Sequence, residues 1–158
     1  MEIKIKELSI EDSFADLMEL SKEFFYEYEN NNKKYFEIDS IKDIDINNYF
    51  QNFIGNEFKK GYIALIENKI IGYITFYIKN QPDFYVIRKI GHISGLMVNK
   101  NYRKNGIGKK LIMESIKYFK QNNIKYYEVF TSVNNKNGIS LYKKCGLNEL
   151  YLTLYGEI

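Results

Sequence analysis

The feature that most restricts this chain is the change of period around residues 99–106. Phe84–Val98 is a long run rich in Ile, Val, Leu and Met, the pattern of a strand. Beyond it, Ile107, Leu111, Ile112, Ser115, Ile116 and Phe119 recur at helical spacing from about Gly106 to Gln121, with Lys109, Lys110, Glu114, Lys117 and Lys120 mostly on the opposite face. A strand that passes through a short loop into a helix with one apolar stripe must bury that stripe on a sheet. The chain is therefore limited to layered α/β or α+β architectures with a mixed sheet.

The flanking segments extend this frame. Residues 1–8 alternate Ile3 and Ile5 with Lys4 and Lys6, as a half-buried strand does. Ser9 with Asp12 is a capping signal for a helix whose apolar face is Ile10, Phe14, Leu17, Ser21, Phe24 and Tyr28. Ser40 with Asp43 repeats that signal ahead of Ile44, Tyr49, Phe50 and Phe53. Gly61–Glu67 and Ile70–Lys79 predict two strands joined in a hairpin at Asn68-Lys69. Lys125–Val133 predicts a further strand and Gly138–Lys144 a short helix ended by Gly146, while Leu150, Leu152 and Leu154 predict a closing strand. The expected order is β-α-α-β-β-β-α-β-α-β in a single domain, residues 1–158.

Composition removes several classes of function. One Cys (Cys145) and one His (His92) exclude an internal disulfide and leave no Cys/His zinc site, so no metal is expected. A net charge of +3 is too small to argue for nucleic acid. The 15 Tyr and 11 Phe among abundant Lys, Ile and Asn follow from A+T-rich codons more simply than from a base-stacking surface. No run approaches the ~20 apolar residues of a membrane span, and the N-terminus has no signal-peptide pattern. The expectation is a soluble, cytoplasmic protein without membrane or nucleic-acid partners.

Nucleotide motifs fail at the glycine loop. Leu111 stands where a dinucleotide fingerprint needs its third glycine, and Arg103 and Lys110 break a P-loop. What remains is electrostatic. Lys100, Arg103, Lys104, Lys109 and Lys110 gather around a helix start whose N–H groups already carry partial positive charge, with no acid among residues 99–113. That grouping favours an anion, to which Gly106 and Gly108 allow close backbone approach. Gly95, inside an otherwise bulky strand, marks a bulge or an edge open to a ligand with amide groups. Phosphates at one end and amides along a strand describe coenzyme A.

These residues resemble the GCN5-related N-acetyltransferase (GNAT) family. Arg103-Lys104-Asn105-Gly106-Ile107-Gly108 satisfies its Q/R-x-x-G-x-G/A loop, Leu96-Met97-Val98 matches its strand end, and Asn135 to Leu147 resembles N-x-x-A-x-x-L-Y-x-K-x-G-F. Gly138 replaces the Ala and Leu147 the Phe. The resemblance implies a mostly antiparallel central sheet flanked by helices. It also implies an acetyltransferase that moves acetyl from acetyl-CoA to a primary amine of a small molecule or peptide, without a covalent enzyme intermediate. A non-catalytic acyl-CoA-binding module is the alternative, and a homodimer is compatible with the pattern.

By the same resemblance, backbone N–H groups of Lys104, Asn105, Gly106, Ile107, Gly108 and Lys109 cradle the pyrophosphate, with Arg103 adding charge. Leu96, Met97 and Val98 meet pantetheine, Asn135 bonds the coenzyme, and Tyr142 protonates the leaving thiolate. A main-chain N–H near Leu96–Val98 is placed to polarise the thioester carbonyl. The base stays open between His92, Glu128 and a water relay, and Cys145 is read as a packing residue. Glu27, Glu29, Glu37, Asp39, Asp43 and Asp45 are either a solvated surface or a flank that attracts a cationic acceptor.

Overall fold

The computed structural model describes residues 2–158. Its elements are β1 (Lys4–Glu7), α1 (Phe14–Glu29), α2 (Asp43–Gln51), β2 (Lys59–Ile66), β3 (Lys69–Asn80), β4 (Lys89–Val98), a 3-10 turn (Lys100–Tyr102), α3 (Ile107–Gln121), β5 (Tyr127–Val129) and α4 (Lys136–Lys144). The strands lie in the order β1-β2-β3-β4-β5. Neighbours are antiparallel except β4 and β5, which are parallel. The expected mixed, mostly antiparallel sheet between helices is formed, and the element order is the expected one as far as α4.

Each face of the sheet carries its own apolar layer. Leu17 and Leu20 of α1 with Ile46 and Phe50 of α2 pack on Ile63, Tyr73 and Met97. On the other face, Ile107, Leu111, Ile112 and Phe119 of α3 pack on Ala64, Ile74, Phe76 and Ile93. This is the stripe read from the sequence, with Ser115 buried inside it through a hydroxyl that donates to Ile112 O. Gly91 permits the close approach of α3, since a Cβ there would meet the Phe119 ring at 2.5 Å.

Several boundaries differ from expectation for identifiable reasons. The Ser9–Asp12 pattern closes a turn, with Ser9 N–H and Oγ both donating to Asp12 Oδ2, and Ser13 caps α1 instead. Ile10 therefore falls outside the helix and is exposed. Lys42, not Ser40, precedes α2. The hairpin turns at Glu67-Asn68, one residue earlier than expected, and positive φ at both residues gives the type I′ twist that two-residue hairpins favour. β4 starts at Lys89 rather than Phe84, because the segment containing Pro82 folds into a turn in which Gln81 N–H donates to Arg88 O. β5 keeps only three residues, and residues 147–158 form no strand despite the Leu150–Leu154 alternation.

Candidate active site

Strand β4 positions the site. Its register with β3 slips between Thr75 and Phe76: Thr75 pairs with Gly95 and Phe76 with Ile93, which leaves Ser94 as the extra residue of a bulge. A hydroxyl cluster fills the bulge. Ser94 Oγ lies 3.1 Å from Thr75 O and 3.0 Å from Thr75 Oγ1, and Tyr49 OH reaches across from α2 to within 2.7 Å of Thr75 Oγ1. A Cβ on Gly95 would come within 2.9 Å of Thr75 Oγ1, so the glycine is required by this cluster.

Beyond the bulge the sheet opens. β5 pairs only with Gly91, His92 and Ile93, so residues 95–98 have no partner strand on that side. Asn99 N–H donates to Ile71 O at 2.8 Å. Counting back in steps of two, Met97 and Gly95 bond to β3, whereas the N–H and C=O groups of Leu96 and Val98 face the gap. Arg103 supports this assignment, because its Nε donates to Val98 O at 2.8 Å.

The glycine loop lies at the end of this open edge. Lys104 (φ 65°) and Gly106 (φ 76°) adopt left-handed backbone and turn the chain sharply into α3. The N–H groups of Ile107, Gly108 and Lys109 have no acceptor within the helix, and no side chain caps them. Lys104, Lys109 and Lys110 are exposed around them. Gly108 faces Leu141 of α4, and a Cβ there would meet Leu141 Cδ2 at 2.9 Å. The result is an anion cradle of backbone donors that opens onto the unpaired edge of β4.

Arg103 is placed differently from the other loop residues. Its Nη2 donates to Glu27 Oε1 at 2.8 Å and Oε2 at 2.9 Å, and it lies 3.6 Å from Met97 Sδ. Its charge is thus neutralised by α1, and it staples the loop to both α1 and the end of β4. Asn135 is also engaged: it caps α4, with Oδ1 accepting from Gly138 N–H at 3.0 Å and Nδ2 donating to Thr131 Oγ1 at 2.9 Å. That cap fixes the helix carrying Tyr142.

Two lobes of one cleft meet at the bulge. The smaller, about 50 Å³, is bordered by Leu96, Gly95, Val129, Asn135 and Tyr142. The larger, about 280 Å³, contains His92 and the rings of Phe24, Phe25, Tyr28 and Phe130. Ser94, Phe24, Tyr28 and Phe130 border both. Burial, reinforced by neighbouring Cys145, pushes the Tyr142 phenol up to about 12, so it holds its proton at neutral pH. The half-buried Cys145 thiol is raised by burial as well and packs in the α3 layer, as a structural residue would.

The parallel register places His92 beside Glu128, with Nδ1 3.0 Å from Glu128 Oε1. Lys79 pairs with the same oxygen. Burial alone would raise the Glu128 carboxyl, but the bonds from Lys79 and His92 outweigh it and hold the group below the usual range. An ionised Glu128 accepts from Nδ1–H of His92, the tautomer in which a neutral imidazole presents its lone pair at Nε2. The two residues read separately as base candidates therefore form one unit. The acidic residues of the N-terminal helices do not line the cleft: Glu27 binds Arg103, Glu29 Oε1 accepts from Ile38 N–H, and Asp43 pairs with Lys22. Phe24, Phe25, Tyr28, Phe130 and Tyr49 were not singled out from the sequence as site residues. Only the i, i+4 spacing of Phe24 and Tyr28 on α1 hinted at a shared face.

Comparison with known proteins bears on this arrangement. Residues 14–147 match the model of the acetyltransferase (GNAT) family. An N-alpha-acetyltransferase of Sulfurisphaera tokodaii is 31% identical over 94 residues, which are 56% of this chain and 56% of that protein. The match thus spans little more than half of that relative's length. Among solved structures, the tetramutant of the BH1408 protein from Bacillus halodurans superposes with a TM-score of 0.84 at 19% identity, covering 98% of this chain and 99% of that one. A predicted acetyltransferase with acetyl-CoA from Clostridium acetobutylicum gives 0.74 at 21% identity, covering 98% and 96%. Among the described residues, no helix is long and apolar enough to cross a membrane.

Proposed function

Because this chain belongs to the acetyltransferase (GNAT) family, we propose that it transfers an acetyl group from acetyl-CoA to a primary amine of a small molecule or peptide. The observation that carries this reading is the continuity of three features: the anion cradle at the start of α3, the unpaired edge of β4, and a cleft with Tyr142 in one lobe and His92 in the other. The curated relative's name and the neighbour solved with acetyl-CoA support it.

Acetyl-CoA supplies an acyl carbon already activated as a thioester. In the proposal, the N–H groups from Lys104 to Lys109 hold the pyrophosphate by dipole and hydrogen bonds, helped by Lys104 and Lys109. The outward amides of Leu96 and Val98 hold the pantetheine arm, while Met97, turned into the core against Tyr73, anchors the strand that presents them. Arg103 and Asn135 fix the loop and α4 from behind.

The chemistry is then a matter of two protons. An acceptor amine with pKa near 10.4 is neutral in only about one part in 2,500 at pH 7, a deficit of ~4.6 kcal/mol. His92 Nε2, ordered by Glu128, takes one proton from the ammonium and passes it to solvent; Tyr142 gives a proton to the departing sulfur, and the second proton lost by the nitrogen as the amide forms restores the phenol. As the C–N bond forms, the C–S bond breaks, and no bond to the protein is made. The reading carries with it a cytoplasmic setting and no nucleic-acid partner, and it leaves room for a homodimer.

Thiol release from acetyl-CoA in the presence of amines tests the proposal. We expect amine-dependent release in the wild type and loss of it in Tyr142→Phe, with calorimetric binding of acetyl-CoA retained in both. Absence of acetyl-CoA binding to the wild type would refute it.

A further inference from the structure

The walls of the larger lobe say what kind of amine belongs there. Phe24, Phe25 and Tyr28 of α1 line it together with Phe130, and its polar side chains are His92, Ser94 and the Tyr28 phenol. Among the described residues, no carboxylate is part of its lining. Glu128, which bonds the lining His92, is also paired with Lys79. Glu27, between Phe25 and Tyr28 on the same helix, is held away by Arg103. Lys79 Nζ lies 5.5 Å from the centre of the Phe130 ring and is paired with Glu128, so that carboxylate is already compensated and offers no free negative charge to the lobe.

A polycation entering this lobe would lose water from several ammonium groups and find no carboxylate in return. One ammonium is different, because the ring faces attract it and His92 then takes its proton, while an apolar body is stabilised by the same rings at roughly 25 cal/mol per Å² buried. Size agrees. At about 280 Å³ the lobe lies just below the roughly 300–1,000 Å³ of ordinary ligand pockets, room for a compact amine and not for a whole oligosaccharide.

We propose that the acceptor is a small primary amine with a single positive charge and a compact apolar body, aryl or alkyl, and that polycationic amines are poor acceptors. This rests on the acetyl-transfer reading above and narrows it. Phe25 is 43% exposed and outside the buried core, so a charge introduced there changes the mouth of the cleft without opening the core.

The test compares kcat/KM for 2-phenylethylamine, hexylamine, spermidine, kanamycin and a tetrapeptide with a free α-amine, all with acetyl-CoA. The expected result is at least a tenfold preference for the first two over the other three. In Phe25→Glu the preference over spermidine and kanamycin should shrink by at least tenfold, at an unchanged melting temperature. Equal or better use of the polyamine, the aminoglycoside or the peptide overturns the inference, as does a preference indifferent to Phe25→Glu. Turnover of no amine also overturns it. Calorimetry with acetyl-CoA, run alongside, separates the failures: turnover with the wrong preference and retained binding condemns only the acceptor assignment, whereas turnover of no amine, or lost binding, condemns the transferase reading with it.

Discussion

Replacing Gly91 with alanine asks whether α3 lies against the sheet as tightly as the contacts imply. The new methyl would sit 2.5 Å from Phe119 Cζ and 2.6 Å from Cε1 and Cε2, well inside ordinary van der Waals separation. Phe119 has nowhere to turn: it is 2% exposed and wedged edge-on against Phe76 at 5.3 Å, with Tyr127 at 5.8 Å. Overpacking of this kind costs about 1–3 kcal/mol. A chain of this length loses roughly 2–4 °C of Tm per kcal/mol, so calorimetric melting should fall by about 2–12 °C. Phe119→Leu alone should also destabilise, by leaving a cavity. The double variant decides the cause. If the clash is real, the two losses are sub-additive, with a coupling of about 0.5–3 kcal/mol. Strict additivity, or a Gly91→Ala protein that melts like the wild type, would refute the close-approach argument.

The remaining expectations concern the cleft. Tyr142→Phe should lower kcat by roughly 10²-fold with the acetyl-CoA Kd within about twofold, and because the phenol titrates at about 12, any alkaline limb below about pH 10 in the wild-type rate profile must belong to another group. Glu128 is held below its usual value of 4.5, so it adds stability above that pH and loses it as pH falls. Melting curves of Glu128→Gln should therefore show a flatter decline than the wild type between about pH 5 and pH 3. Gly106→Ala forces a side chain into a φ of 76° with nothing within 4 Å to crowd it. The cost is then backbone strain alone, about 1 kcal/mol, read as a lower Tm, and acetyl-CoA binding by calorimetry should weaken as the loop shifts.

What the sequence made legible was local. The stripe of α3 and the glycine loop are written in consecutive residues, and both occur in the structure where the spacing put them. The bulge was readable from one glycine in an apolar strand. Juxtapositions made by the sheet were not. His92 and Glu128 lie 36 residues apart and meet only through the parallel register, and Glu27 meets Arg103 across 76 residues. The acidic residues of the N-terminal helices read either as a solvated surface or as an acceptor flank, and each engaged one is turned to a cation or a backbone N–H outside the cleft. The closing strand failed for a related reason: alternation shows that a segment could form a strand, but a ladder needs an edge, and β5 offers three residues.

The brevity of β5 has a consequence for solubility. A sheet that leaves backbone donors bare risks recruiting strands from other molecules, and the danger grows with the length of straight rim on offer. Here the outermost strand stops after one turn of the pleat, and the bared stretch of β4 is recessed behind it and kinked by the bulge. A foreign chain finds no run long enough to zip onto, while a slender ligand can still slip in.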